Sequence, residues 1–455
     1  MNANPFTIPG NLPKGAKILF ANVPADGHFN PLTGLAVHLK AEGYDVRWYA
    51  SARYGAKIEK LGIPHYPSKT ALDVDIEKAD EIFPDRDKHK SQIAKLNYDI
   101  INVFILRGPE YYTDIRAIHK SFPFDVMVAD ITFAAIPLVK EHMKIPVISV
   151  GIVPITETSK DLPPMGMGML PAKTALGRLK HAALRFFADH ILFRKSNQVL
   201  KEVLDQYDMT PDGNMFDTIT RKSTLVLQSG TPGFEYERSD LGKNIRFVGP
   251  LLPHRKTRGV KWFDEKLMAY KKIILVTQGT VEKDVEKIIV PTLEAYQNTD
   301  KLVVVTTGGS GTESLRKRFA APNIIIEDFI PFDDIMPYAS VYVTNGGYGG
   351  VLLSVQHAVP MVVGGIHEGK LEINARVEYF KLGINLRTEV PTAEQVKKSV
   401  DEVLNNTEYK KNVTALSNEF SQYSPQQLCQ QYIEQVLAEA QRQKGAAIIP
   451  MEAVA

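Results

Sequence analysis

His28 and Asp130 are the pair whose types and positions suit acid–base chemistry. His28 follows the apolar run KILFANV (17–23) through the loop PADGHF, and Asp130 ends a second apolar run, DVMVAD. Both runs read as buried parallel strands of one sheet, which puts both side chains at carboxyl strand ends, where ligands of open α/β sheets bind. A helix is predicted directly after His28, and its positive end disfavours imidazolium. A neutral imidazole, with an ordinary pKa of ~6.5, is a usable base near neutrality. Asp130 would accept its Nδ1–H, fix the tautomer and stabilise the charge that develops. On pattern alone the same two residues also read as a structural histidine in a loop and a capping aspartate at a strand end.

A second group of residues suits phosphate. Four predicted strand ends in the C-terminal half carry small, polar or Gly-rich sequences: Gln278-Gly279-Thr280, Thr307-Gly308-Gly309, Phe329-Ile330-Pro331 and Asn345-Gly346-Gly347. Glycines let backbone N–H groups approach phosphate oxygens, and the helix after Gly349 and Gly350 points its positive end at the same place. Residues 343–375 (VTNGGYGGVLLSVQHAVPMVVGGIHEGKLEINA) read as strand, Gly-rich turn, helix, strand, polar loop and helix. Thr280 also reads as a plain helix cap.

Two runs of alternating elements must position these groups. After 17–23, Asn30 is predicted to cap a helix with Pro31 at its first position, ending at Gly43 before the strand DVRWYA. Further strands are predicted at 125–129, 146–150, 224–228 and 245–248. A proline-bearing basic stretch, GPLLPHRKTRG (249–259), reads as a linker, and the alternation then restarts with KIILVTQGT. The prediction is therefore α/β, two doubly wound Rossmann-like domains facing across a cleft. The domains are expected at 1–248 and 260–407, joined by 249–259, with 408–455 a helical segment and tail. The less regular stretches 65–120 and 150–215 are expected to surround the cleft. Within them Met165, Met167 and Met169, spaced by glycines, read as a mobile apolar lip or as a loop packed on the core.

The chain's 455 residues suit two domains, and 44% apolar with 23% charged residues is ordinary globular composition. A net charge of +2 without like-charge blocks does not indicate a nucleic-acid surface, and the basic stretch 254–261 reads as solvated linker. One cysteine, Cys429, excludes an intramolecular disulfide, and its helical neighbourhood suggests a packed thiol. With no secretory signal pattern and no apolar run of ~20 residues, a cytoplasmic protein without a membrane span is expected.

Residues 328–375 resemble the donor-binding signature of UDP-sugar-dependent glycosyltransferases that modify small lipophilic molecules, and GHFNPLTGLAVHL near the N-terminus fits the same family. The resemblance implies the GT-B fold, inversion at the anomeric carbon, a UDP-sugar co-substrate, and no cofactor or metal. It implies that the Phe329 ring stacks on uracil and the Ile330 backbone bonds its edge. Asn345 stands where the family has a histidine facing the diphosphate, Gly350 where it has a serine or threonine, and Thr280 where it has a small hydroxyl residue. Gly27, Gln278, Gly279, Gly346, Gly347 and Gly349 join the implied donor contacts. Leu353 replaces the glutamate for the ribose hydroxyls. Gly369-Lys370 replace the Asp-Gln pair for the sugar, with Glu368, Glu372 and Asn374 as nearby substitutes. His357 and His367 flank this loop as further candidates for contact. The family's equivalents of His28 and Asp130 form its catalytic pair.

The resulting expectation is transfer of a hexose, glucose first, to a hydroxyl of a flavonoid, terpenoid, steroid or macrolide, giving a β-glycoside. The alternatives are a nucleotide-sugar epimerase on the same fold and a non-catalytic nucleotide-sugar binder.

Overall fold

The computed structural model describes residues 15–74, 79–254, 261–279, 282–367 and 369–446. It contains two wholly parallel sheets. The first holds β1 (Lys17–Ala21), β2 (Asp45–Ala50), β3 (His65–Pro67), β4 (Val126–Asp130), β5 (Val147–Gly151), β6 (Leu225–Ser229) and β7 (Ile245–Gly249), in the order β3-β2-β1-β4-β5-β6-β7. The second holds β8 (Ile273–Thr277), β9 (Leu302–Thr306), β10 (Ile324–Glu327), β11 (Val341–Thr344), β12 (Met361–Val363) and β13 (Gly383–Asn385), in the order β10-β9-β8-β11-β12-β13.

These runs become parallel strands because both of their faces are covered. In β1, Ile18 and Phe20 enter one core and Leu19 and Ala21 the other. In β8, Ile273 and Leu275 enter one core and Ile274 and Val276 the other. Each sheet reverses its strand order at one point, beside β1 and β4 in the first and beside β8 and β11 in the second. Ligands of doubly wound sheets sit at those reversals. His28 follows β1 and Asp130 ends β4, while Gln278 follows β8 and Asn345 follows β11.

The predicted helix start at Asn30 is incorrect. The helix is Asp26–Ala41, entered through Ala25, and Pro31 lies inside it. Phe29 explains the earlier start: it is buried and stacks on Tyr54 at 4.5 Å and against Trp48 at 4.9 Å. Burying such a ring contributes roughly 1.5–3 kcal/mol. The first-turn bonds from His28 N and Phe29 N to Ala25 O add to that. Together they offset an interior proline, which costs about 3 kcal/mol. His28 therefore sits in the first helical turn rather than in the loop before it.

The stretches read as irregular are largely helical. Gln92–Asp99 passes through a π-turn and a 3₁₀ turn into Gly108–Ser121, and Ala175–Phe187 continues as a π-helical segment, Ala188–Leu192, before Arg194–Asp205. The last two helices separate. Thr407–Phe420 packs Val413, Leu416 and Phe420 on the second domain's core, whereas Pro425–Ala446 returns to the first and buries Cys429 and Ile433 there. Cys429 is thus a packed thiol, and burial pushes its pKa up. Part of the predicted linker, 255–260, lies outside the described residues. Among the described residues no helix is long and apolar enough to cross a membrane.

Candidate active site

At the first reversal, Asp130 is completely buried and held on both oxygens. Its Oδ2 accepts from Val23 N at 2.8 Å, and its Oδ1 accepts from Thr132 N at 2.9 Å and from the Thr132 hydroxyl at 2.5 Å. His28 Nδ1 lies 3.0 Å from Asp130 Oδ1 and 3.0 Å from Thr132 Oγ1. Thr132 donates its only hydroxyl hydrogen to Asp130, so its oxygen can only accept from His28. Both neighbours of Nδ1 can accept, so in the neutral ring the proton belongs on Nδ1 and the lone pair on Nε2. The side chain of His28 is 18% exposed, so the ring is packed yet reachable. Gly27 beside it is exposed, and a Cβ there would meet nothing within 4 Å. Sequence reasoning missed Thr132. The Asp-x-Thr spacing, which makes a turn with the Thr N–H on the Asp carboxylate, is the signal that identifies it.

At the second reversal, the helix Tyr348–Gln356 opens on Gly347, which has no side chain to cap it. Its first intrahelical bond runs from Val351 N to Gly347 O, which leaves the N–H groups of Tyr348, Gly349 and Gly350 without partners inside the helix. Gly346 is required twice over. Its φ is +83°, and any Cβ would collide with the Asn374 side chain. Asn345 donates its amide N–H to the carbonyl of Gln278, joining the ends of β8 and β11. A cavity of about 190 Å³ opens beyond these ends, lined by Gln278, Asn345, Gly365, His367 and Lys370 among others.

The cavity also has a charged rim, of which the sequence reading named only His367 and Lys370. Lys287 Nζ lies 2.6 Å from Glu282 and 3.4 Å from Glu389, and His367 Nε2 lies 2.9 Å from Glu389. Burial alone would raise the pKa of Glu282, but the bonds from Lys287 and the Asp284 N–H hold it below the usual carboxylate value. Among the described residues no three His, Cys, Asp or Glu side chains are gathered so as to hold a metal ion.

The remaining candidates are placed as follows. Phe329 is 73% exposed and borders Gly309, while Ile330 is buried behind it. Gln278 lines the cavity and is also held in place: its amide receives Ile288 N and Ile289 N and donates to Asp284 O, so it braces the following loop. Leu353 packs on the second domain's core. Gly369 opens the helix Lys370–Tyr379 and faces Val153 of the first domain. Asn374 is buried and donates to Gly365 O. His357 lies at the far end of its helix from the open N–H groups and beside Asp333, so it stands apart from this site. Thr280 and Glu368 lie outside the described residues.

Glu372 is held between the two domains. One carboxylate oxygen accepts from Gly166 N and Gly168 N across the cleft, and the other faces Arg376. Arg376 is itself buried and bonded to Glu235 of the first domain. The methionine lip is therefore tied to the helix Lys370–Tyr379 rather than loose. Tyr348 crosses in the other direction, donating to Ser229 O at 2.7 Å, and the helix bearing His28 packs against Tyr348–Gln356.

Comparison with known proteins fits this geometry. Residues 291–435 match the family described as Erythromycin biosynthesis protein CIII-like, C-terminal domain. The chain is 32% identical to 4'-demethylrebeccamycin synthase of Lentzea aerocolonigenes, over 90% of this chain and 96% of that one. It is 30% identical to UDP-glucosyltransferase 1 of Beauveria bassiana, over 89% and 91%. The solved glycotransferase of kitacinnamycin superposes with a TM-score of 0.73 at 19% identity, covering 93% of this chain and all of that one. With such identity spread along nearly the whole of both chains, the protein belongs to the natural-product UDP-glycosyltransferase family, as an enzyme of the GT-B fold.

Proposed function

We propose that this glycosyltransferase moves a hexose, glucose first, from a UDP-sugar to a hydroxyl of a small lipophilic acceptor, with inversion and without a metal. The hydrogen-bonded set Asp130–Thr132–His28 carries this reading, because it presents an unprotonated Nε2 with the developing imidazolium already provided for. The acceptor hydroxyl gives its proton to Nε2 as its oxygen attacks the anomeric carbon. The bond to the diphosphate breaks, and the leaving charge is taken by the open N–H groups of residues 348–350 and the positive end of their helix. Attack opposite an α-linked leaving group gives a β-glycoside. The exposed ring of Phe329 supports stacking on a nucleobase. The name of the Beauveria relative supports UDP-glucose as the first donor to try.

Incubation with UDP-glucose and a panel of phenolic, terpenoid, steroid and macrolide alcohols, in excess EDTA, tests the proposal. The expected product gains one hexose by mass spectrometry and shows a β-anomeric proton by NMR. An α-anomer overturns inversion. Strict dependence on added Mg²⁺ or Mn²⁺ overturns metal independence. Interconversion of the nucleotide-sugar without transfer favours an epimerase.

A further inference from the structure

The helix Ala175–Phe187 and its extension Ala188–Leu192 are built inside out. A surface helix of a globular protein turns its apolar stripe to the core. Here His181 and Ala188 face inward, while Leu176, Leu179, Phe186 and Ile191 are 77%, 67%, 64% and 61% exposed. Leu176, Leu179, Ala183 and Phe186 follow a three-to-four-residue spacing, so they form one outward stripe. Arg178 and Lys180 fall about 100° to either side of Leu179. Residues 171–195 hold six Lys or Arg against one Asp, a local excess larger than the +2 of the whole chain. The one acid, Asp189, is engaged with Asn214.

We propose that this helix seats the protein on an anionic lipid surface, with the stripe in the acyl boundary and the basic flanks at the headgroups. Apolar Leu and Phe on one face with Lys and Arg beside them is the composition of helices that lie in the membrane plane. The excess of positive charge matches anionic headgroups. It argues against a second copy, whose identical basic flanks would meet across a two-fold contact. The helix is also joined to the cleft. Arg185 donates to Lys160 O and Leu162 O, in the segment leading to the lip that Glu372 holds. A lipophilic molecule dissolved in the bilayer would thus lie near that lip. The lipid surface itself does not depend on the acceptor reading.

Co-sedimentation of the full-length protein with vesicles tests this. Binding is expected to phosphatidylcholine vesicles containing phosphatidylglycerol, weakly to phosphatidylcholine alone, and less at high salt. The double substitution Leu179→Ser/Phe186→Ser should lower the partition coefficient about tenfold or more, since each removes a large buried apolar group. Arg178→Gln/Lys180→Gln should remove the preference for anionic lipid. Hydrogen exchange of the wild type should show protection of residues 175–191 on adding vesicles, a readout that needs no variant. Wild-type protein left in the supernatant, or no protection at 175–191, overturns the proposal. A dimer that Leu179→Ser/Phe186→Ser dissolves, in a protein that ignores vesicles, assigns the stripe to self-association instead.

Discussion

The carboxylate of Glu372 accepts a hydrogen bond from the backbone N–H of Gly168 at 2.9 Å, and so ties the lip of one domain to the first turn of the other domain's helix Lys370–Tyr379. Gly168 suits that contact because its φ is +57° and a Cβ would press on the Leu371 carbonyl. Glu372→Ala leaves two N–H groups without their acceptor and removes one of the carboxylates facing buried Arg376, for a loss of about 3 kcal/mol. A lower melting temperature is expected, together with UDP release exceeding glycoside formation as water gains access. Release and product that stay equal would show that the lip does not exclude water.

His28→Ala removes the proposed base and leaves the cavity beyond β8 and β11 intact. Transfer should fall by about a thousandfold, within the range for a general base, while the Kd for UDP by calorimetry stays unchanged. A variant that keeps full activity would sink the assignment of His28.

Thr132 acts through Asp130 and His28. Thr132→Val keeps the shape but removes the hydroxyl that bridges them. The expectation is about a tenfold drop in kcat with KM for both substrates held, restored by Thr132→Ser. Equal losses in Val and Ser variants would point to packing alone.

Phe329 is exposed, so Phe329→Ala should leave the melting temperature in place. If its ring stacks on the base, the loss of about 1–3 kcal/mol raises the donor KM about tenfold or more with kcat little changed. Steady-state kinetics at varied UDP-sugar decides.

Asp114 offers a pH prediction. Burial alone would raise its pKa, but the N–H groups of Lys69, Thr70 and Ala71 and the hydroxyl of Tyr49 hold it below the usual value. A depressed folded pKa stabilises above the unfolded value of ~3.9 and is lost as pH falls through the folded value. Asp114→Asn should therefore destabilise the protein at neutral pH, and the gap to wild type should narrow below about pH 4. Urea unfolding at both pH values measures it.

What the sequence made legible was the periodic part. Apolar runs marked the strands, and residues at their carboxyl ends marked both reversals, which is why His28, Asp130 and Asn345 could be placed beside them. The start of the His28 helix was misread because Asn30-Pro31 is a strong local cap signal, and the burial of Phe29 against Trp48 and Tyr54 overrides it. The second-domain side chains were harder. The positions of Gln278 and Glu372 were legible, but not what holds them. Their partners, Ile288 and Ile289 for one and Gly166 and Gly168 for the other, are fixed by tertiary packing that no local pattern encodes. The outward stripe at 176–191 has the spacing of a core helix, and the sequence does not say which way it faces.

The return of Pro425–Ala446 to the first core has a consequence for how the molecule is made. Tyr44 bonds Glu434 and His38 bonds Gln430, contacts separated by about 390 residues of chain. During synthesis the first lobe must wait for this helix until the whole second lobe has emerged. The thiol of Cys429, buried in the first core, should therefore become shielded from alkylating reagents only once that helix has docked.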